Sequence, residues 1–160
     1  MTDPHDRGEL LLLNGPNLAQ LGTRKPDVYG TTTLAEIESA VAQVAAAAGF
    51  RLRCVQDECE GALVRAVHAA ADCRGAIVNP GALMMAGWSL RDALESFPGP
   101  WTEVHISNVF ARETFRHHSV LSSIADGVVC GLGADGYQLA AQALVLRLSR
   151  TPSEGTERDG

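Results

Sequence analysis

Two pairs of polar residues in this chain are of the types and spacing that move protons. Glu103 and His105 stand two apart in an apolar run, Trp101–Ile106, that reads as a strand, so both side chains share one face. A carboxylate there orients the imidazole and favours its protonated form, which makes a general acid; spacing alone also allows a purely structural strand histidine. Arg24 and Tyr29 stand five apart in a stretch without periodicity. A guanidinium beside a phenol favours the phenolate, a usable base, although an idle exposed pair fits the same spacing. Arg112 and Arg116 follow the His105 strand in a polar segment, where they can fork around carboxylate or hydroxyl oxygens or simply form a solvated charged surface.

Other candidates carry less. Gly131-Leu-Gly133-Ala-Asp-Gly136 fits a dinucleotide fingerprint, yet no strand follows it, and the acidic residues about 20 positions on belong to a polar terminal stretch. Tight strand-to-helix packing is the better reading. Lys25, the one lysine, lies in a segment expected to be exposed, which suits a Schiff base poorly. His117-His118 lack a third ligand and are read as surface or interface residues. Cys54, Cys59, Cys73 and Cys130 form no Cys-x-x-Cys pair and no Cys/His quartet, so they read as small, half-buried fillers in a reduced compartment, with no metal expected.

These residues need a frame, and the 160-residue chain, 46% apolar, is long enough for one domain with a real core. The apolar run Glu9–Asn14 ends at Gly15-Pro16 and reads as a strand buried on both faces. Thr33 and Glu36 form a capping-box pattern before a helix running toward Gly49. Strands over 51–56, 76–79, 101–106 and 127–131 then alternate with helices over 61–71, 89–97 and 137–148. Five strands joined by helical crossovers require a parallel sheet with helices on both faces. A flavodoxin-like three-layer α/β sandwich of order 2-1-3-4-5 is the expected solution, with ligands gathering beyond the carboxyl ends of the strands. Residues 1–8 and 151–160 read as polar tails around a 9–150 domain, and the non-periodic segment around 18–31 reads as a lid.

A net charge of -6 disfavours a general nucleic-acid binder, and no apolar run reaches the ~20 residues of a membrane span. The N-terminus has no secretory pattern, so a cytoplasmic location is expected.

Taken together, LLLNGPN (11–17), LGTRKPDVYG (21–30), NPGA (79–82), LRDAL (90–94), EVHISN (103–108), ARETFRHHS (111–119) and GLGADGY (131–137) resemble type II 3-dehydroquinate dehydratases over about residues 10–146. The resemblance implies dehydration of 3-dehydroquinate to 3-dehydroshikimate through an enolate, in the shikimate or quinate pathway, without metal or cofactor, in a homododecamer built from trimers. It implies Tyr29 as base with Arg24 beside it, Asn17 holding a water on the enolate, and His105 as acid oriented by Glu103. Asn79 and the Ile106-Ser107 backbone would bind the carboxylate and Arg116 a ring hydroxyl. Arg112 would assist near the base, and Asp92 would reach a neighbouring subunit's site.

The chain also departs from that family's pattern. Met85 stands where a histidine usually binds a ring hydroxyl, a loss on the order of 1–3 kcal/mol. Phe110 replaces a frequent histidine, and Asp57-Glu58-Cys59 a more usual Ser-Asn-His. Met84-Met85 raises the alternative of a paralogue acting on a modified ring such as the amino analogue. A non-catalytic paralogue and a flavin or nucleotide binder are further alternatives.

Overall fold

The computed structural model describes residues 6–150. Its elements in chain order are β1 (Glu9–Asn14), the one-turn helix α1 (Pro26–Tyr29), α2 (Leu34–Ala47), β2 (Arg51–Gln56), α3 (Glu60–Ala69) and β3 (Gly75–Asn79). α4 (Trp88–Glu95), β4 (Trp101–His105), β5 (Gly127–Cys130) and α5 (Asp135–Ser149) complete the domain. The five strands form one parallel sheet of order β2-β1-β3-β4-β5, the expected topology.

Alternation within the strands builds two cores. On β1, Leu10 and Leu12 face one side, with Ile37 and Val41 of α2 and Tyr137 and Leu144 of α5. Leu11 and Leu13 face the other, with Leu63 and Val67 of α3 and Leu90 and Leu94 of α4. All four leucines are essentially without exposure, so truncating any one to alanine would cost about 2–5 kcal/mol. A continuous Leu run is therefore what a strand covered on both faces requires.

Boundaries differ from the sequence reading only where local chemistry intervenes. Thr33 and Glu36 form the expected capping box, with Glu36 N–H donating to Thr33 Oγ1 and Thr33 N–H to Glu36 Oε2. β5 stops before Gly131, whose φ of +85° leaves the extended region. The lid segment is not structureless: a 3-10 turn covers Leu18–Gln20, and Pro26 at the first helical position starts α1. Of the residues read as an N-terminal tail, Arg7 N–H donates to Gly49 O and its guanidinium lies 4.6 Å from the Phe50 ring centre. Residues 1–5 and 151–160 lie outside the described residues. The four cysteines are free, but Cys54 and Cys59 are exposed and Cys73 is buried, so only Cys130 is the half-buried filler expected of all four.

The chain's direction of travel across the sheet reverses between β1 and β3, and this reversal leaves a crevice at their carboxyl ends. Asn14 and Asn79, the last residues of the two strands, are register partners there. Gly15 lets the loops beyond them touch: its N–H donates to Asn79 O at 2.8 Å, and a Cβ on it would meet Pro80 O at 2.4 Å. Gly15→Ala should lower stability by about 1–3 kcal/mol, because the obstacle is backbone and cannot rotate away. Urea unfolding followed by circular dichroism would measure it.

Candidate active site

A cavity opens at this reversal point, and its walls come from the three loops that leave the carboxyl ends of β1, β3 and β4. The loop after β1 supplies Asn17, Arg24 and Tyr29; the loop after β3 supplies Asn79 and Met84. The end of β4 and the segment beyond it supply His105, Ile106, Ser107, Arg112 and Arg116. Nine of the twelve residues singled out from the sequence thus line one cavity. The other three are Glu103, Met85 and Asp92.

Glu103 stands behind His105. Its carboxylate has no solvent exposure and meets His105 Nε2 at 2.6 Å. Ser119 Oγ donates to Oε1 at 2.9 Å and Ser122 Oγ donates to Oε2. Burial alone would push this carboxyl up; the hydrogen bonds from His105 and Ser122, the His105 charge and the Ser119 hydroxyl outweigh it, and the group titrates below the ordinary range. The other ring nitrogen, His105 Nδ1, has no hydrogen-bond partner among the described residues, and the ring lines the cavity. A proton on that nitrogen can be given to a bound molecule.

Tyr29, at the end of α1, lines the same cavity. The guanidinium on its hydroxyl belongs to Arg112, not to Arg24: Arg112 Nη1 donates to Tyr29 Oη at 3.1 Å and to Ser107 Oγ at 3.4 Å. Arg24 lines the cavity but is exposed and makes no side-chain hydrogen bond among the described residues. Five residues of separation across the left-handed Lys25 (φ +43°) place Arg24 and Tyr29 in one loop without a hydrogen bond between them. Arg24, Lys25, Arg112 and Arg116 make the cavity wall cationic in a chain of net charge -6, which suits a small anion.

Met85 is not on the cavity; Met84 is. Gly81–Met85 is a 3-10 helix, in which successive side chains turn by about 120°, so one methionine facing the crevice turns the next away. The departure at position 85 therefore gives no ground for a modified ring. Asp92 lies exposed on α4, outside the cavity. His117 and His118 are exposed.

Several supports escaped the sequence reading. Asn79 Nδ2 donates to Tyr137 Oη at 2.7 Å, and Tyr137 donates in turn to Asn14 Oδ1 at 2.8 Å. Burial pushes the Tyr137 phenol far up, so it stays a donor and fixes Asn79 from behind. Its motif, GLGADGY, was visible, but nothing in the sequence tied it to Asn79. Asn17, in the left-handed region at φ +69°, is held by its own N–H donating to Glu58 Oε2 at 2.7 Å. The N–H groups of the Gly-rich turn after β5 are spent on backbone: Gly131 N–H donates to His105 O and Gly133 N–H to Ile106 O. Among the described residues, no three His, Cys, Asp or Glu side chains converge as a metal site.

The family model "Dehydroquinase class II" matches residues 8–145. A 3-dehydroquinate dehydratase of Xanthomonas euvesicatoria pv. vesicatoria is 52% identical over 143 residues, covering 88% of this chain and 97% of its own. That of Halorhodospira halophila is 51% identical over 142 residues, covering 88% and 96%. The crystal structure of the type II dehydroquinase from Propionibacterium acnes superposes with a TM-score of 0.83 at 40% identity, covering 89% of this chain and 99% of its own.

The lowered Glu103 titration sets a sign for stability against pH. As acid is added, the unfolded chain takes up this proton first. The carboxylate's contribution is therefore complete above the ordinary carboxyl range, near 4.5, and is lost as pH falls through its lower folded value. The thermal midpoint of wild type should exceed that of Glu103→Gln at neutral pH, and the gap should narrow below about pH 4.5; paired melts across that range would show it.

Proposed function

The chain belongs to the class II dehydroquinase family, its reaction is the dehydration of 3-dehydroquinate to 3-dehydroshikimate, and we propose that Tyr29 is the base and His105 the acid. The observation that carries this assignment is that both residues line one cavity, each backed by a partner suited to its role.

A phenolate at Tyr29 accepts the Arg112 hydrogen bond and takes the proton from the carbon next to the ketone, leaving an enolate. Asn17, locked by Glu58, holds the water that donates to the enolate oxygen. Collapse of the enolate expels the hydroxyl, and His105, protonated and paired with Glu103, gives it a proton so that it leaves as water. Before the next turnover Tyr29 must lose the proton it gained and His105 regain one. Asn79, pinned by Tyr137, and the Ile106-Ser107 backbone bind the substrate carboxylate, and Arg116 binds a ring hydroxyl. Arg24, free on the cavity wall, contributes positive charge for capture and, on lid closure, joins Arg112 at the base.

We place this reaction in the cytoplasm, a setting in which four free cysteines stay reduced. No helix among the described residues is long and apolar enough to cross a membrane. We further propose that the chain forms a homododecamer of trimers in which Asp92 reaches the neighbour's cavity. Light scattering of the purified protein should then give twelve times the 16.9 kDa chain mass, and a monomer would refute it.

Steady-state assays on 3-dehydroquinate, followed by enone absorbance, test the acid and base assignments. Tyr29→Phe should lower kcat by about 10²–10⁴-fold, as expected on losing a general base. Arg112→Ala should lower it more than Arg24→Ala does. Full activity in Tyr29→Phe would refute the assignment of the base.

A further inference from the structure

A buried carboxylate held only by His105 would be free to swing about its last side-chain bond and offer either oxygen to the imidazole. In this structure each oxygen has its own hydroxyl donor. Ser119 Oγ donates to Oε1, the oxygen that meets His105, and Ser122 Oγ donates to Oε2. The direction of the Ser119 hydroxyl is itself fixed. Its oxygen accepts the N–H groups of Leu121 and Ser122, both at 3.1 Å, which occupies its lone pairs and leaves its proton for Glu103.

The serines are anchored independently of β4. Between them, Val120 N–H donates to Met84 O at 2.7 Å on the loop after β3. Arg91 of α4 donates to Val120 O and, at 3.0 Å, to Ser123 Oγ. The segment bearing the serines is thus braced by two other elements, and it is continuous with the stretch that brings Arg112 and Arg116 to the cavity.

We propose that Ser119 and Ser122 are positioning residues for the reaction: acting through Glu103, they set the plane of its carboxylate and so the place of the His105 ring. This rests on the reading of His105 as the acid. Neither serine lines the cavity, so neither touches substrate.

Ser122 gives the cleaner test, because its hydroxyl makes no hydrogen bond other than that to Glu103 among the described residues. On 3-dehydroquinate, Ser122→Ala should lower kcat about tenfold while KM moves by less than about twofold, since a hydrogen bond to a charge is lost and no substrate contact is. In a Glu103→Gln background the same change should alter kcat by less than about twofold, because residues acting in series do not add. Ser122→Thr should keep wild-type kcat within about threefold, whereas Ser122→Val, its near-isostere without the hydroxyl, should behave as alanine does. An equal kcat loss from Ser122→Ala in both backgrounds, or equal kcat in the Thr and Val variants, would overturn the inference while leaving the acid assignment standing. A His105→Ala enzyme with wild-type kcat would overturn that assignment too.

Discussion

A charged carboxylate with no access to water governs the architecture of this cavity. Ionised Glu103 would be strongly unfavourable in a parallel sheet lined by Leu, Ile and Val unless fully paired, and the chain meets that demand with three donors. Two of the donors lie 16 and 19 residues away, so the polar stretch between β4 and β5 has to fold back over the strand that bears the acid. In folding back it also carries Arg112 to Tyr29 and Arg116 to the cavity. Satisfying one buried charge thereby brings His105, Tyr29 and the cationic wall to one cavity.

The second constraint is the sheet order. With β1 and β3 adjacent and the chain diverging on either side of them, their carboxyl ends define a crevice. Asn14 and Asn79 end those strands as partners and are joined through the Tyr137 hydroxyl, which comes from α5 on one face of the sheet. The amide that faces the cavity is held from the core. The Gly131 and Gly133 N–H groups do the same for the His105 and Ile106 carbonyls, so the backbone of β4 is supported past its last ladder pair.

The fold was legible because its signals are local and redundant. A Leu run ending in Gly-Pro, a capping box at Thr33 and regular alternation of short apolar runs with helical periods leave few topologies open. The Glu103–His105 pair was legible because a strand's period of two is enforced by geometry. Partnerships across loops were not. Arg24 and Tyr29 are near in sequence yet share no hydrogen bond, whereas Arg112 reaches Tyr29 from 83 residues away. Met84 and Met85 differ by a third of a turn of a 3-10 helix that periodicity does not reveal. Ser119 and Ser122 lie in a stretch whose composition matches any polar loop.

The substitution of Asp57-Glu58-Cys59 for a more usual Ser-Asn-His shows which property such a position has to keep. Asn17 sits in the left-handed region, where its peptide N–H points away from any regular partner. An acceptor at position 58 is what closes that gap, and a carboxylate oxygen does so at 2.7 Å while Gln56 Nε2 donates to its other oxygen at 2.8 Å. Asp57 in turn accepts the Cys59 N–H, fixing the turn that presents Glu58. Asp57 and Glu58 therefore act on backbone, and any sequence that supplies an acceptor in the same place can hold Asn17. At Asn79 the demand is stricter. Its amide nitrogen donates to Tyr137 while its oxygen accepts from Gly81 N–H, a donor and an acceptor on one planar group that a carboxylate cannot provide. Loops around the crevice can thus vary wherever a single acceptor suffices, and are held to one residue type where both sides of an amide are in use.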